Sequence, residues 1–188
     1  MENSYFSITT DRLLLREFER TDFDALSRVL GDADAMCHYP YRFDEERVRF
    51  WISRNIDRYR VFGFGLWAVV LKETGELIGD CGLTMQDING FIRPEIGYHI
   101  RRDLWRRGFA HEAASACRDW AFMNTPFNAL FSYMRRANVA SSATARSIGM
   151  SLVEEFTDAQ GELSCAYEVD RCDWENGFKP REYMPLIC

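Results

Sequence analysis

The sequence predicts a mixed α/β fold, with one mixed sheet carrying helices on both faces. Three observations lead there. Seven short stretches are apolar or alternate with period two and are bounded by Gly, Asn or Asp, as half-buried strands are. Val48, Trp51, Ile52, Asn55, Ile56 and Tyr59 recur at steps of three and four, an amphipathic helix. The order is one strand, two helices, three strands, helix, strand, helix, two strands, and the helix after the longest strand series reads as a crossover, which a pure hairpin meander does not need.

Each element follows from local chemistry. Residues 12–18, Arg-Leu-Leu-Leu-Arg-Glu-Phe, read as the first strand. Thr21 opens a helix, with Asp24 three residues on in the manner of a capping box, and Gly31 ends it after Leu30. Residues 32–43 lack periodicity and contain Pro40, so they form a loop. Asp44 caps the second helix. From Phe64 the period changes: residues 65–71 and 77–84 form a hairpin across Glu73-Thr74-Gly75-Glu76. Asn89-Gly90 marks the next turn and residues 95–100 the next strand. A helix then runs from Gly108 to about Met123, and its Ala113, Ala116, Cys117 and Trp120 share one face that can lie close to a sheet. Residues 128–134 are a strand, and residues 139–148 are a short helix ended by Gly149. Residues 152–156 and 164–169 are strands joined across Asp158-Ala159-Gln160-Gly161, and residues 175–188 read as a tail. No repeat or linker divides the chain, so residues 1–188 are expected to form a single domain.

Composition excludes several function classes. A chain of 188 residues buries about 70% of its unfolded surface, enough to fold without staples. Hydrophobic residues make up 47% and aromatic residues 14%, a globular composition. The net charge of −6 argues against nucleic-acid partners. No apolar run reaches the roughly 18 residues of a membrane span, and Met1-Glu2-Asn3-Ser4 lacks the basic start of a signal peptide. Cysteines at 37, 81, 117, 165, 172 and 188 show no C-x-x-C spacing, so reduced thiols and a cytoplasmic setting are expected. Cys81 and Cys117 lie in apolar contexts and read as core residues. Three scattered histidines give no metal site.

The chemistry concentrates in Trp105-Arg106-Arg107-Gly108-Phe109-Ala110-His111-Glu112-Ala113. A helix N-terminus presents unpaired N–H groups and partial positive charge, which suit an anion. Gly108 lets a ligand approach the backbone, and arginines suit phosphate oxygens. Arg101, Arg102, Arg106 and Arg107 stand against Asp103 alone, a local charge of +3 in an acidic chain, so a small anionic ligand is expected. The competing reading is an ordinary helix start with solvated arginines. No Walker or dinucleotide motif competes: Gly63-Phe64-Gly65 precedes a strand and opens no helix.

With Glu95-Ile96-Gly97-Tyr98-His99-Ile100 before it, this window resembles the central motif of the GNAT N-acetyltransferases, most closely their RimJ/RimL-like branch. The pattern here is E-I-G-Y-x-I-x-x-x-x-W-x-x-G-x-A-x-E-A. Thr10-Asp11-Arg12-Leu13-Leu14-Leu15-Arg16 is similar to the first strand of that branch. Leu77-Ile78-Gly79-Asp80-Cys81-Gly82-Leu83 is similar to its third. Asn138-Val139-Ala140-Ser141 with Ser147-Ile148-Gly149-Met150 is similar to its N-x-x-S…GF segment. The resemblance covers about residues 9–175. It implies a GNAT-like fold, a central, mostly antiparallel twisted sheet of about seven strands with helices on both faces. It also implies acetyl-CoA as donor, its diphosphate on Arg106, Arg107, Gly108, Phe109 and Ala110. The pantetheine would run along the backbone of His99 and Ile100, with Asn138 near the thiol end. Arg101, Arg102, Arg106 and Arg107 are the candidates for the 3′-phosphate. The sequence departs from the branch in having Arg102 for a frequent Pro, and from the usual Gly-Phe in having Gly149-Met150. Residues 139–149 also lack the Tyr that many superfamily members use to protonate the thiolate.

Amine acetylation needs a base for the ammonium, donors for the oxyanion and an acid for the thiolate. Glu95 is the candidate base, against the alternative of a solvated strand carboxylate. Ser141 is the candidate acid, with Ser142 behind it, against the alternative of a helix-capping hydroxyl. A backbone N–H near His99 or Ile100 would serve the oxyanion. Asp80 and His99 are further base candidates, whereas Tyr98, Phe50, Trp51 and Tyr59 read as packing and His111 as solvent-facing. The implied acceptor is an amine, either a protein N-terminus or a small molecule. Asp32, Asp34, Asp158 and Glu162 would give its pocket an acidic rim. Two other functions stay open: an acyl-CoA-binding regulatory or degenerate module, and transfer from another donor such as succinyl-CoA. A homodimer is the default assembly.

Overall fold

The computed structural model describes residues 6–177. In chain order they form β1 (Ser7–Thr9), β2 (Leu13–Arg16), α1 (Phe23–Leu30), α2 (Glu45–Phe62), β3 (Leu66–Leu71), β4 (Glu76–Ile88), β5 (Phe91–Ile100), α3 (Phe109–Asn124), β6 (Ala129–Arg135), α4 (Val139–Ser147), β7 (Ser151–Thr157), β8 (Leu163–Asp170) and α5 (Arg171–Glu175). The strands make one sheet in the order β1-β2-β3-β4-β5-β6-β8-β7. Every neighbouring pair is antiparallel except β5 and β6, which are parallel as a crossover helix requires.

The eighth strand is β1, three residues paired with β2 through Ser7↔Arg16, Ile8↔Leu15 and Thr9↔Leu14. Three residues are too few for a period to show. β4 and β5 outrun their expected bounds because Asn89 (φ 52°) and Gly90 (φ 81°) close a two-residue turn directly between them. The polar Gln86, Asp87 and Arg93 break the apolar pattern of that extension without breaking its ladder. The expected cap at Thr21 gives way to Asp22. Its carboxylate accepts the Glu19 N–H at 2.8 Å and both arms of Arg16 at 2.7 Å each, and a 3₁₀ turn at Arg20–Asp22 leads into α1. Asp44 caps α2 as expected, its Oδ1 accepting the Arg47 N–H at 2.9 Å. A short helix, α5, precedes the expected tail of residues 175–188 and overlaps it only at Glu175. The tail's residues 178–188, the sixth cysteine and Met1–Ser4 lie outside the described residues.

The α1–α2 layer buries Leu26, Val29, Leu30, Val48 and Ile52 against Ala68, Val70 and Leu77 on one face of the sheet. On the other face α3 buries Ala113, Ala114, Cys117 and Ala121 completely. Small side chains let the helix axis approach the sheet, and Cys117 Sγ sits 3.5 Å from Cys81 Sγ. Ala116, expected on that face, is only half-buried. β5 and β6 share a single register position, Glu95↔Phe131. Beyond it β5 continues against β4 and β6 against β8, so the two strands part after Glu95.

Candidate active site

The loop between β5 and α3 is built to stay open and rigid. A 3₁₀ turn covers Arg102–Leu104, and the Trp105 indole donates to the Ile100 carbonyl at 2.6 Å. Arg106 (φ 61°) and Gly108 (φ 82°) both occupy the left-handed region, which favours glycine and strains arginine. α3 then starts without a side-chain cap, leaving its first-turn N–H groups for an anion. Glu112, in that first turn, is turned away to brace the loop. Its Oε1 accepts the Thr10 hydroxyl at 2.6 Å and the Arg12 N–H at 2.8 Å, and its Oε2 takes the Arg12 guanidinium at 2.6 Å. Arg12 also donates to the Arg107 carbonyl at 2.9 Å and covers the Phe109 ring, 4.4 Å from its centroid. A Cβ on Gly108 would meet Arg12 Nη2 at 3.3 Å. His111 is not simply solvent-facing: its Nδ1 lies 2.9 Å from Ser147 Oγ, joining α3 to the end of α4.

The four arginines separate into two kinds. Arg101 is held by Asp103 at 2.7 Å and Glu76 at 2.6 Å, and these carboxylates push its pKa up. Arg102 is held by Asp32 and Asp34, each at 2.8 Å. Among the described residues no carboxylate lies within ion-pair distance of Arg106 or Arg107. The open basic charge of the loop therefore belongs to those two.

Side chains of β5 alternate between the two faces. Glu95 and His99 point toward the α1–α2 layer, and Tyr98 toward α4. Glu95, 9% exposed, sits where β5 and β6 part. Thr84 Oγ1 donates to its Oε2 at 3.0 Å. Burial raises the Glu95 pKa to about 7, opposed by Thr84, His99, the Tyr133 N–H and Arg58. Four pairs along the ladder, on the same face, Asp80 is completely buried. It binds His99 Nδ1 at 2.6 Å and accepts the Trp51 indole N–H at 2.7 Å, so it is fully partnered. Tyr39 OH reaches His99 Nε2 at 2.8 Å. Burial works to lower the His99 pKa, but the attraction and hydrogen bond of Asp80, with Glu95 adding to them, raise it on balance.

On the opposite face the Tyr98 hydroxyl lies 2.8 Å from the Ser141 carbonyl, to which it donates, and 3.1 Å from Ser141 Oγ. Burial pushes Tyr98 up to about 12, against the hydrogen bonds of Ser141 and Ser132. Asn138 is the N-cap of α4, its Oδ1 accepting the Ser141 N–H at 3.1 Å. The capping alternative for the Ser141 hydroxyl thus falls to Asn138. Tyr98, expected as packing, is the polar partner of Ser141. Tyr39 and Trp51 join the polar network of Asp80 and His99. Strand parity from Glu95 onward is the sequence signal that places His99 with Glu95 and Tyr98 opposite.

Three of the four expected rim carboxylates are engaged within the protein. Asp32 and Asp34 hold Arg102, and Asp32 Oδ1 also accepts the N–H groups of Asp34 and Ala35 at 3.0 Å each. Asp158 closes its own turn, accepting from Gln160, Glu162 and Ser164. Among the described residues no group of three or more His, Cys, Asp or Glu is placed to hold a metal, and no helix is long and apolar enough to cross a membrane.

Residues 12–151 match the family model of the acetyltransferase (GNAT) domain. The uncharacterized protein YkkB of Bacillus subtilis (strain 168) is 36% identical over 149 residues, 79% of this chain and 87% of YkkB. A GNAT-family acetyltransferase from Bacillus anthracis superposes with a TM-score of 0.77 at 23% identity, over 88% of this chain and 99% of that one. RimL, a ribosomal L7/L12 alpha-N-protein acetyltransferase solved in complex with coenzyme A, superposes with a TM-score of 0.74 at 18% identity, over 88% of this chain and 98% of that one.

Proposed function

This chain belongs to the GNAT acetyltransferase family, and from that premise we propose that it moves an acetyl group from acetyl-CoA to a primary amine by direct attack in a ternary complex. One observation carries the reading. A carboxyl group with a pKa of about 7 sits where two strands part, and a hydrogen-bonded Tyr–Ser pair faces the other side of the same strand.

Arg106, Arg107 and the first-turn N–H groups of Phe109 and Ala110 would hold the CoA diphosphate beside Gly108. The opening along β5 beside His99 and Ile100 would take the pantetheine, with Asn138 near the thiol end. The RimL complex with coenzyme A supports this donor. Near neutral pH Glu95 is poised between its two protonation states, so it can accept the proton of an approaching ammonium. The freed amine attacks the thioester carbonyl, an N–H near Ile100 supports the oxyanion, and the carbon–sulfur bond breaks. Ser141, hydrogen-bonded to Tyr98, gives its hydroxyl proton to the departing thiolate and regains one from the acylated nitrogen, which sheds its extra proton as the amide forms. A reducing cytoplasmic setting fits the five described cysteines, all free.

The test is thiol release from acetyl-CoA by the purified protein against N-terminal peptides, polyamines and aminoglycosides. Release that depends on one of these amines is expected. CoA binding with no release for any amine would leave an acyl-CoA-binding module in place of an enzyme.

A further inference from the structure

We infer that the acceptor amine carries a carboxylate group, which Arg54 and Arg58 bind in a groove beside Glu95. This rests on the acetyltransferase reading above and narrows its substrate class.

The groove, about 310 Å³, lies between the second half of α2 and β4 and is lined by Arg54, Arg58, Phe62, Phe64, Thr84 and Met85, and also by Asp57, whose carboxylate pairs with Arg60. Its Thr84 is the residue whose hydroxyl bonds Glu95, so the groove begins one side chain from the candidate base. Arg54 and Arg58 are four residues apart on one helix, where like charges repel. The other arginines nearby on α2 are occupied: Arg49 by Glu45 at 3.9 Å, Arg60 by Asp57 at 3.5 Å and Arg47 by the Tyr41 ring at 4.4 Å. Among the described residues Arg54 and Arg58 have no carboxylate within 4 Å; Arg58 donates only to the neutral Asn55 Oδ1, at 3.2 Å. Burial, and then Arg54, lower the Arg58 pKa, while Glu95 acts in the opposite sense. A half-buried cation repelled by its neighbour is stabilised when a ligand supplies the missing anion.

The remaining walls set the size of that anion. Phe62 and Phe64 stack at 5.9 Å and, with Met85, make an apolar side. The volume is at the small end for ligand pockets and suits a side chain or an amino acid, whereas a net charge of −6 disfavours a polyanion. Arg54 and Arg58 place positive charge in a groove that reaches Thr84, the hydrogen-bond partner of Glu95. The carboxylate can come from an acidic side chain near a peptide N-terminus or from the α-carboxylate of a free amino acid.

Thiol release is measured with two matched pairs: Ala-Glu-Ala against Ala-Gln-Ala, and glycine against glycinamide. In one pair the carboxylate member is expected to win by about tenfold in kcat/KM; which pair does so identifies the source. The preference should disappear in Arg54→Gln/Arg58→Gln, and Arg54→Glu, a change at an exposed position, should reverse it. Equal rates within both pairs, or a preference that survives the double variant, overturns the inference. If no amine is acetylated the enzymatic reading fails by itself, and calorimetric titration of the same four compounds decides the groove. Carboxylate binding that the double variant loses supports it, and no carboxylate binding to the wild type at millimolar concentration overturns it.

Discussion

Thr84 and Glu95 stand directly opposite each other in the β4–β5 ladder, and the Thr84 hydroxyl donates to Glu95 Oε2 at 3.0 Å. The buried carboxyl that burial would keep protonated is thereby drawn back toward ionisation, with a pKa of about 7.

Turnover should accordingly rise with pH along a limb centred near 7. Glu95→Gln should remove that limb and lower turnover by about 10²-fold while leaving CoA affinity intact. Thr84→Val removes a bond that favours the carboxylate, so the limb should move to higher pH; a limb that stays in place would show that Glu95 is not the titrating group. Stability runs the other way. Because the folded-state pKa lies above the ordinary carboxylate range, the unfolded chain gives up this proton first as pH rises. The native state therefore loses stability between the ordinary range and about pH 7, and Glu95→Gln should be more stable than wild type at pH 8 by roughly 3 kcal/mol.

Ser141 and Asn138 should separate cleanly. Asn138→Ala removes the cap of α4 and should cost about 1 kcal/mol in denaturant unfolding. Ser141→Ala leaves the cap in place, since Asn138 accepts the Ser141 backbone N–H, and should lower kcat with little change in Tm. Tyr98→Phe should also lower kcat, because it strips the hydroxyl that Ser141 bonds. Normal kcat in both variants would remove this pair from proton delivery.

The β5–α3 loop makes opposite forecasts for its arginines. Gly108→Val forces a β-branched side chain into φ 82° and should weaken CoA binding, measured by calorimetry, more than any single arginine change. Arg106→Gln and Arg107→Gln should weaken it less, with a gap from wild type that narrows as salt rises. Arg101→Gln should leave CoA affinity near wild type, because Glu76 and Asp103 already hold that guanidinium. A loss on Arg101→Gln as large as on Arg107→Gln would contradict the division of the four charges.

Long periodic elements were legible from the chain. The α2 stripe, the β3–β4 hairpin and the glycine before α3 are local patterns, written in residues close in sequence. β1 was not legible, because three residues carry no period and its pairing with β2 depends on the rest of the sheet. The start of α1 was less legible, because its N-cap residue Asp22 makes no side-chain cap bond and gives its carboxylate to Arg16, six residues away on another element, and to the Glu19 N–H.

The sequence by itself determined the family and offered a candidate donor side: glycine, arginines and small helical residues at fixed spacing suit a loop that can approach a diphosphate. The tertiary structure decided which charges remain open there. Asp32 reaches Arg102 from 70 positions away, and Glu76 reaches Arg101 from 25. It also brought Tyr98 to Ser141 and, among the described residues, left Arg54 and Arg58 with no carboxylate within ion-pair distance. Ion pairing and burial depend on which distant side chains meet, and a linear chain states that only once it has folded.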